Sequence, residues 1–323
     1  MDRSHSLTIK QENMTILTIT LHPAVDKVVQ TPRVVPNEIS RVRITSIYGG
    51  GKGNNVARAL TRLGVPVIAS GFQGGHSGKF ITGELEKEGI KTDFVFCEEP
   101  TRTSTLLLED ETGNSFAIYE PGQAVSKDEI RMLMDKVKSY LNEISLILLC
   151  GSGQTDLLET TYADIISLAK DSDIRCIIDS SGKALYHGIK SAPYMVKVNQ
   201  HELAGYLGKP LEIFDDQLQA IQDLQAAGIQ VVALSRGKDG MIATDGADTY
   251  QAKVQVPSIV NVVGAGDSLL AGISKSLLEG GDLREIISWG VACGTANTQV
   301  RGAGYITPDL VEEMLSKVEI TKL

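Results

Sequence analysis

The run Asn261-Val262-Val263-Gly264-Ala265-Gly266-Asp267-Ser268 sets two glycines, one residue apart, directly before an acid. Glycines at these positions let backbone N–H groups approach a ligand with no Cβ in the way. Apolar residues follow at helical spacing, Leu270, Ile273 and Leu277, so the turn opens a helix. A helix N-terminus carries unpaired N–H donors and the positive end of the dipole, which suit an anion. A carboxylate at that point is costly beside developing negative charge unless it removes a proton. The pattern therefore describes an anion hole at Gly264, Ala265 and Gly266 with a general base, Asp267. A capped helix after a tight turn uses the same residues, and the motif alone does not separate the two.

A second glycine run, Gly49-Gly50-Gly51-Lys52-Gly53-Asn54-Asn55, precedes a helix with Val56, Leu60 and Leu63 on one face and Gly64 and Pro66 at its end. The residue after Lys52 is glycine, so this is not a P-loop, and the third glycine of a dinucleotide fingerprint is missing. Backbone at Gly51, the Lys52 ammonium and the Asn55 amide suit the hydroxyls and charge of a sugar phosphate. Asp26 ends His22-Pro23-Ala24-Val25-Asp26 just beyond a strand, where open α/β sheets place ligand contacts, though turn aspartates are as common there. Further candidates sit at strand ends: Ser152, Asp179, Asn199, Glu202 and the stretch Ser235-Arg236-Gly237-Lys238-Asp239-Gly240. Asn199 and Glu202 are three apart at a helix start, which suits water around Mg²⁺ or an ordinary helix cap. Arg41, Lys52 and Arg102 are expected on one side of the site, where several cations would bind a phosphate.

The elements that must carry these residues alternate. Strands are expected at Thr15–Leu21, Val67–Ser70, Ser145–Cys150, Arg175–Asp179, Met195–Val198 and Gln230–Leu234, with helices near Tyr162–Ala169, Glu202–Leu207 and Asp216–Ala227. Ser126 and Glu129 make a capping box before Ile130, Leu133, Val137 and Leu141. Short buried strands alternating with helices describe a mostly parallel sheet covered on both faces. Ser40–Ile47 and the hairpin Thr103–Glu109/Ser115–Tyr119 fall outside that rhythm and read as a small antiparallel β lid, from about 27–48 and 102–120. The reading gives one domain over 14–323 after a polar extension, 1–13.

Net charge is −9, so no global basic field favours nucleic acid, and an anionic substrate needs a local basic cluster. No run of 18 apolar residues is present, so no membrane partner is expected. Cys97, Cys150, Cys176 and Cys293 form no CxxC pair, which suits buried free thiols in a reducing, cytoplasmic setting.

These residues together resemble the PfkB family of carbohydrate kinases from Met14 onward. Gly50-Gly51-Lys52-Gly53-Asn54-Asn55 is similar to that family's N-terminal motif and Gly264-Ala265-Gly266-Asp267-Ser268 to its C-terminal one. Leu21-His22-Pro23-Ala24-Val25-Asp26, Ser40-Arg41-Val42 and Thr101-Arg102 resemble its bacterial sugar-phosphate branch. The resemblance implies a ribokinase-like three-layer α/β/α sandwich and ATP- and Mg²⁺-dependent phosphorylation of a ketohexose phosphate, fructose 1-phosphate or tagatose 6-phosphate. It implies Asp267 as base, Asp26 and Asn55 on sugar hydroxyls, and Arg41, Lys52 and Arg102 near the substrate phosphate. Asn199 and Glu202 would serve Mg²⁺ and phosphate, Glu202 through water; Ser235 to Gly240 would hold the nucleotide, and Asn297 would line the adenine pocket. A homodimer through the lid is expected. The chain departs from the branch at His22, at Gly153-Gln154, where Leu-Pro is usual, and at Val198 and Arg236. Two alternatives stand beside this reading: a kinase of an unphosphorylated sugar or nucleoside, and a catalytically silent ligand-sensing protein on the same fold.

Overall fold

The computed structural model describes residues 14–153, 155–256 and 258–323. The polar extension and Gln154 of the substrate-side loop lie outside the described residues. Along the chain, β1 (Ile16–Thr20) is followed by β2 (Ala24–Thr31), β3 (Arg43–Gly50), α1 (Lys52–Arg62), β4 (Val67–Gly74), α2 (Gly75–Lys87) and β5 (Lys91–Cys97). Next come β6 (Arg102–Glu109), β7 (Ser115–Tyr119), α3 (Lys127–Tyr140), β8 (Leu146–Cys150), α4 (Thr161–Lys170) and β9 (Arg175–Asp179). Then α5 (Gly182–Lys190), β10 (Met195–Asn199), α6 (Gln200–Leu207), α7 (Phe214–Ala226) and β11 (Val231–Ser235) continue the alternation. Two short strands, β12 (Met241–Thr244) and β13 (Thr249–Lys253), precede α8 (Ala265–Leu278), α9 (Leu283–Thr298), α10 (Pro308–Leu315) and β14 (Glu319–Lys322).

Among the described residues, ten strands form one sheet in the order β14-β13-β12-β11-β10-β9-β8-β1-β4-β5. From β11 to β5 every pairing is parallel, and β12, β13 and β14 add an antiparallel edge. The strands are short apolar runs because both faces are covered. Successive residues serve opposite faces. Ile16, Ala69 and Leu146 join the core beneath α1, α2, α8, α9 and α10, while Leu17, Ile68 and Ile147 join the one beneath α3 to α7. These are the three layers of an α/β/α sandwich. α8 is buried on nearly every side and packs against α9 and α1. Gly272 permits this crossing, since a Cβ there would overlap the Trp289 carbonyl oxygen.

The lid is a separate four-stranded sheet, β3-β2-β6-β7. Its outer pairings are antiparallel, but β2 and β6 run parallel, with Ala24 opposite Arg102 and Asp26 opposite Ser104. Both central strands leave the main sheet at the same rim, β2 directly after β1 and β6 after β5. One face carries Asp26, Tyr48, Ser104 and Tyr119; the other carries Ile44, Ile47, Phe116 and Ile118, all exposed. The strand expected at Ser40–Ile47 runs instead from Arg43 to Gly50, because Gly49 and Gly50 stay extended to pair with Val25 and Ala24.

The Ser126–Glu129 capping box is present at α3, and all four cysteines are buried free thiols. Among the described residues, no helix is long and apolar enough to cross a membrane.

Candidate active site

The two glycine runs meet. Gly264, at φ 80°, caps the N-terminus of α8, and no side chain occupies the cap. Only glycine fits there, since a Cβ would overlap Ala303 and the left-handed backbone strains other residues. Asp267 lies in the first turn and is 7% exposed. The N-terminus of α1, capped by Gly51 at φ 105°, brings up Asn55, whose Nδ2 donates to Asp267 Oδ2 at 2.8 Å. Among the described residues, Oδ1 of Asp267 has no hydrogen-bond partner. Burial raises the Asp267 carboxyl above the ordinary carboxylate range; Lys52, the Asn55 hydrogen bond and Lys197 pull it back, and Asp179 adds to the rise. A buried carboxylate with one oxygen held and the other open can accept a proton.

Asp26 comes in from the lid. Its carboxylate covers Gly50, where a Cβ would overlap Oδ2. Burial pushes its pKa up to about 6, with Arg102 and Arg58 opposing and Asp267 reinforcing the shift. Arg102 lies beside it, its guanidinium 5.9 Å from the Tyr119 ring centre. Among the described residues the buried Arg102 Nε has no hydrogen-bond partner, a cationic donor left over for an anion. His22 is also buried, with Nε2 unpartnered; burial and then Arg102 push its pKa down to about 4, so it is neutral.

Lys52 is placed differently from the expectation. It does not join Arg41 and Arg102; its ammonium bridges Asp179 Oδ1 and Glu202 Oε1, each at 2.7 Å. Burial works against its charge, but Asp179 and Glu202 outweigh burial and hold its pKa above the ordinary range. Lys197, 2% exposed, donates to the other Asp179 oxygen at 2.7 Å and faces Gly266, where a Cβ would stand 3.2 Å from Nζ. Burial tends to raise the Asp179 carboxyl, but Lys197 and Lys52 hold it below the usual range. Arg41 is exposed and far from this cluster. Ala24 pairs with Arg102 and Thr31 Oγ1 donates to Arg41 O at 3.3 Å, so Arg41 sits about 23 Å along the lid from Arg102 at the rise of a strand.

Asn199 and Glu202 form a reciprocal capping box at α6, both bonds 2.9 Å. Glu202 thus serves a helix cap and Lys52 together. No three His, Cys, Asp or Glu side chains converge as a metal cage among the described residues. Asn297 is fully buried, and its side chain bonds to the glycine turn. Its Nδ2 donates to Val263 O at 2.8 Å, and its Oδ1 accepts from Ser268 Oγ and the Gly304 N–H. It fixes the glycine turn from below. Ser235 Oγ donates to Val198 O at 3.3 Å. Gly237, at φ 58°, faces open space, whereas Gly240 is required by close approach to the Ala252 carbonyl. Ser152 follows Gly151, whose φ is 86° and whose N–H donates to Asp179 O at 2.8 Å. Asp179 is one of the strand-end candidates, and the structure adds that it pairs with two lysines; Lys197 and Arg58 carry no role in the sequence reading. The only signal of Lys197 and Arg58 is a charged side chain inside an otherwise apolar strand or helix pattern.

A family model described as pfkB family carbohydrate kinase matches residues 16–310. The chain is 32% identical to the 1-phosphofructokinase of Bacillus subtilis (strain 168), over 95% of this chain and 100% of that one. Among solved structures, the tetrameric inhibited form of phosphofructokinase-2 from Escherichia coli matches with a TM-score of 0.87 at 29% identity, covering 94% of this chain and 98% of that chain. A possible 1-phosphofructokinase from Thermotoga maritima matches with a TM-score of 0.85 at 25% identity, covering 96% and 99%. By these matches the chain belongs to the pfkB family of carbohydrate kinases and is a phosphotransferase with an alcohol group as acceptor.

Proposed function

We propose that this chain transfers the γ-phosphoryl group of ATP to a hydroxyl of a ketohexose phosphate, with fructose 1-phosphate as the leading acceptor and tagatose 6-phosphate as the second. The observation that carries the reading is the open Asp267 oxygen at the N-terminus of α8, with Asn55 holding the other oxygen. Asp267 takes the hydroxyl proton, the hydroxyl oxygen bonds to the γ-phosphorus, and the bond to the β-γ bridging oxygen breaks with ADP as leaving group. Backbone N–H groups of Gly266 and Asp267 stabilise the equatorial oxygens, while that of Ala265 donates to Val262 O at 3.3 Å, so positioning and electrostatics do most of the work. Lys197, buried beside Gly266, adds a cation there. Asp26 orients sugar hydroxyls, and Arg102, with its unspent Nε, takes the phosphate already on the substrate. The 1-phosphofructokinase relative favours fructose 1-phosphate.

No three His, Cys, Asp or Glu side chains converge among the described residues, which suits an ion that keeps most of its water. Glu202 would hold such a hydrated Mg²⁺ through a metal-bound water. The ion would supply neutralisation of phosphate charge. Turnover measured on fructose 1-phosphate, tagatose 6-phosphate, fructose 6-phosphate and free fructose tests the reading. Fructose 1-phosphate is expected to give the highest kcat/KM, and equal activity on free fructose would remove the phosphate site.

The apolar face of the lid, with Ile44, Ile47, Phe116 and Ile118 exposed, is the surface for a second copy of the chain. Phe116→Lys with Ile118→Lys is expected to convert a homodimer to monomer in sedimentation velocity; a wild-type chain that is already monomeric at micromolar concentration rules the pairing out.

A further inference from the structure

Arg58 lies within α1, is 1% exposed, and makes four hydrogen bonds. Nε donates to Glu88 Oε2 at 2.6 Å, Nη1 to Asn55 Oδ1 and to Ala303 O, each at 3.1 Å, and Nη2 to Gly49 O at 2.9 Å. The Tyr305 ring centre lies 4.8 Å and that of Tyr48 6.0 Å from the guanidinium carbon. The bond to Asn55 decides a question of chemistry. Guanidinium has no acceptor, so the Asn55 oxygen must face it and the Asn55 nitrogen must face Asp267. The flipped amide would set N–H against N–H on one side and carbonyl against carboxylate on the other.

We propose that Arg58 is a positioning residue for phosphoryl transfer: it locks the Asn55 amide so that Asp267 keeps one oxygen held and one open, and it ties this lock to the root of the lid at Gly49 and to the Ala303 segment packed on the α8 turn. The proposal rests on the reading of Asp267 as base. A planar fork is required, because one side chain must donate in several fixed directions at once; lysine keeps the charge and loses that geometry. Glu88 balances the buried cation.

The groups facing Asp267 are Lys52 and Asn55 from α1, Lys197 from β10, Asp179 from β9, Cys150 from β8, and Asp26 and Tyr48 from the lid. The lysines and the Asn55 hydrogen bond favour the carboxylate form, and the two acids oppose it. Freeing Asn55 weakens its bond to the carboxylate, so the Asp267 pKa rises. The base works deprotonated, so the acid limb of the kcat–pH profile moves to higher pH.

The test uses the whole chain with Arg58→Gln, Arg58→Lys and the double change Arg58→Gln/Glu88→Gln. Each folded variant is expected to lose kcat on the order of 10²-fold, the scale of a slightly misplaced reacting group. Each is also expected to shift the acid limb upward while the KM for ATP stays at the wild-type value. The double variant leaves no unpaired Glu88 carboxylate and is read if Arg58→Gln does not fold. Folded variants with a wild-type kcat and an unmoved acid limb overturn the proposal, and so does failure of all three to fold, which would make Arg58 purely structural. Asp267→Asn separates the two readings. If it keeps turnover, the base assignment falls and takes this proposal with it. If it is inactive while the Arg58 variants keep the wild-type acid limb, only the proposal falls.

Discussion

Asp267→Asn is expected to lower kcat on the order of 10³-fold, within the range of general-base contributions, while ATP binds with unchanged affinity. The expectation follows from where burial puts the cost. Asp267 sits at the start of a buried helix with its carboxyl raised above the ordinary range. An amide of the same shape removes the charge that burial opposes and keeps an oxygen to accept from Asn55 Nδ2. Folding stability should therefore be unchanged or higher, so a loss of turnover cannot be blamed on unfolding. Thermal melts, calorimetry with ATP and steady-state kinetics on one preparation check all three points. A variant with near-normal kcat would show that another group takes the proton. Asp26, with its pKa near 6, is the first alternative, and Asp26→Asn in parallel distinguishes them.

Arg102→Ala is expected to raise the KM for the sugar phosphate by between about ten- and a hundredfold, the value of one hydrogen-bonded contact to a charged group, with little effect on the KM for ATP. Arg102 is confined between Asp26 and Tyr119 and carries a buried Nε that no described residue satisfies. Its removal also takes away the largest influence that holds the Asp26 carboxyl down, so the Asp26 pKa climbs from about 6 and sugar binding weakens first on the acid side. Equal KM values for the sugar phosphate in wild type and variant would place the phosphate elsewhere.

Much of the main sheet was legible, because buried parallel strands write themselves as short apolar runs: Arg175–Asp179 matches to the residue, and the others agree within a few positions. The turn at Gly264 was legible for a similar reason, since two glycines before an apolar helix leave few conformations. Other parts depend on contacts between distant segments, which no local pattern encodes. Lys52 reads as a phosphate ligand from its glycine-rich setting, yet the acids at 179 and 202 claim it. Arg41 and Arg102 appear equivalent as strand-edge cations, and only the register of β2 separates them. Asn297 carries no sign in sequence that its amide ties together Val263, Ser268 and Gly304. Arg58 sits in an apolar helix face, where a charged residue signals a buried partner without saying which.

The parallel register of β2 with β6 has a mechanical consequence. Asp26 and Arg102 ride on one rigid flap, two ladder rungs apart, so any swing of that flap carries both together and leaves their spacing fixed. On the roles proposed for Asp26 and Arg102, which sugar is gripped is then a matter of ruler length, set by strand registration. How near the gripped alcohol comes to the carboxylate on the stationary body is a matter of hinge angle. Selectivity and reactivity are thereby assigned to separate coordinates, and evolution can adjust one without disturbing the other.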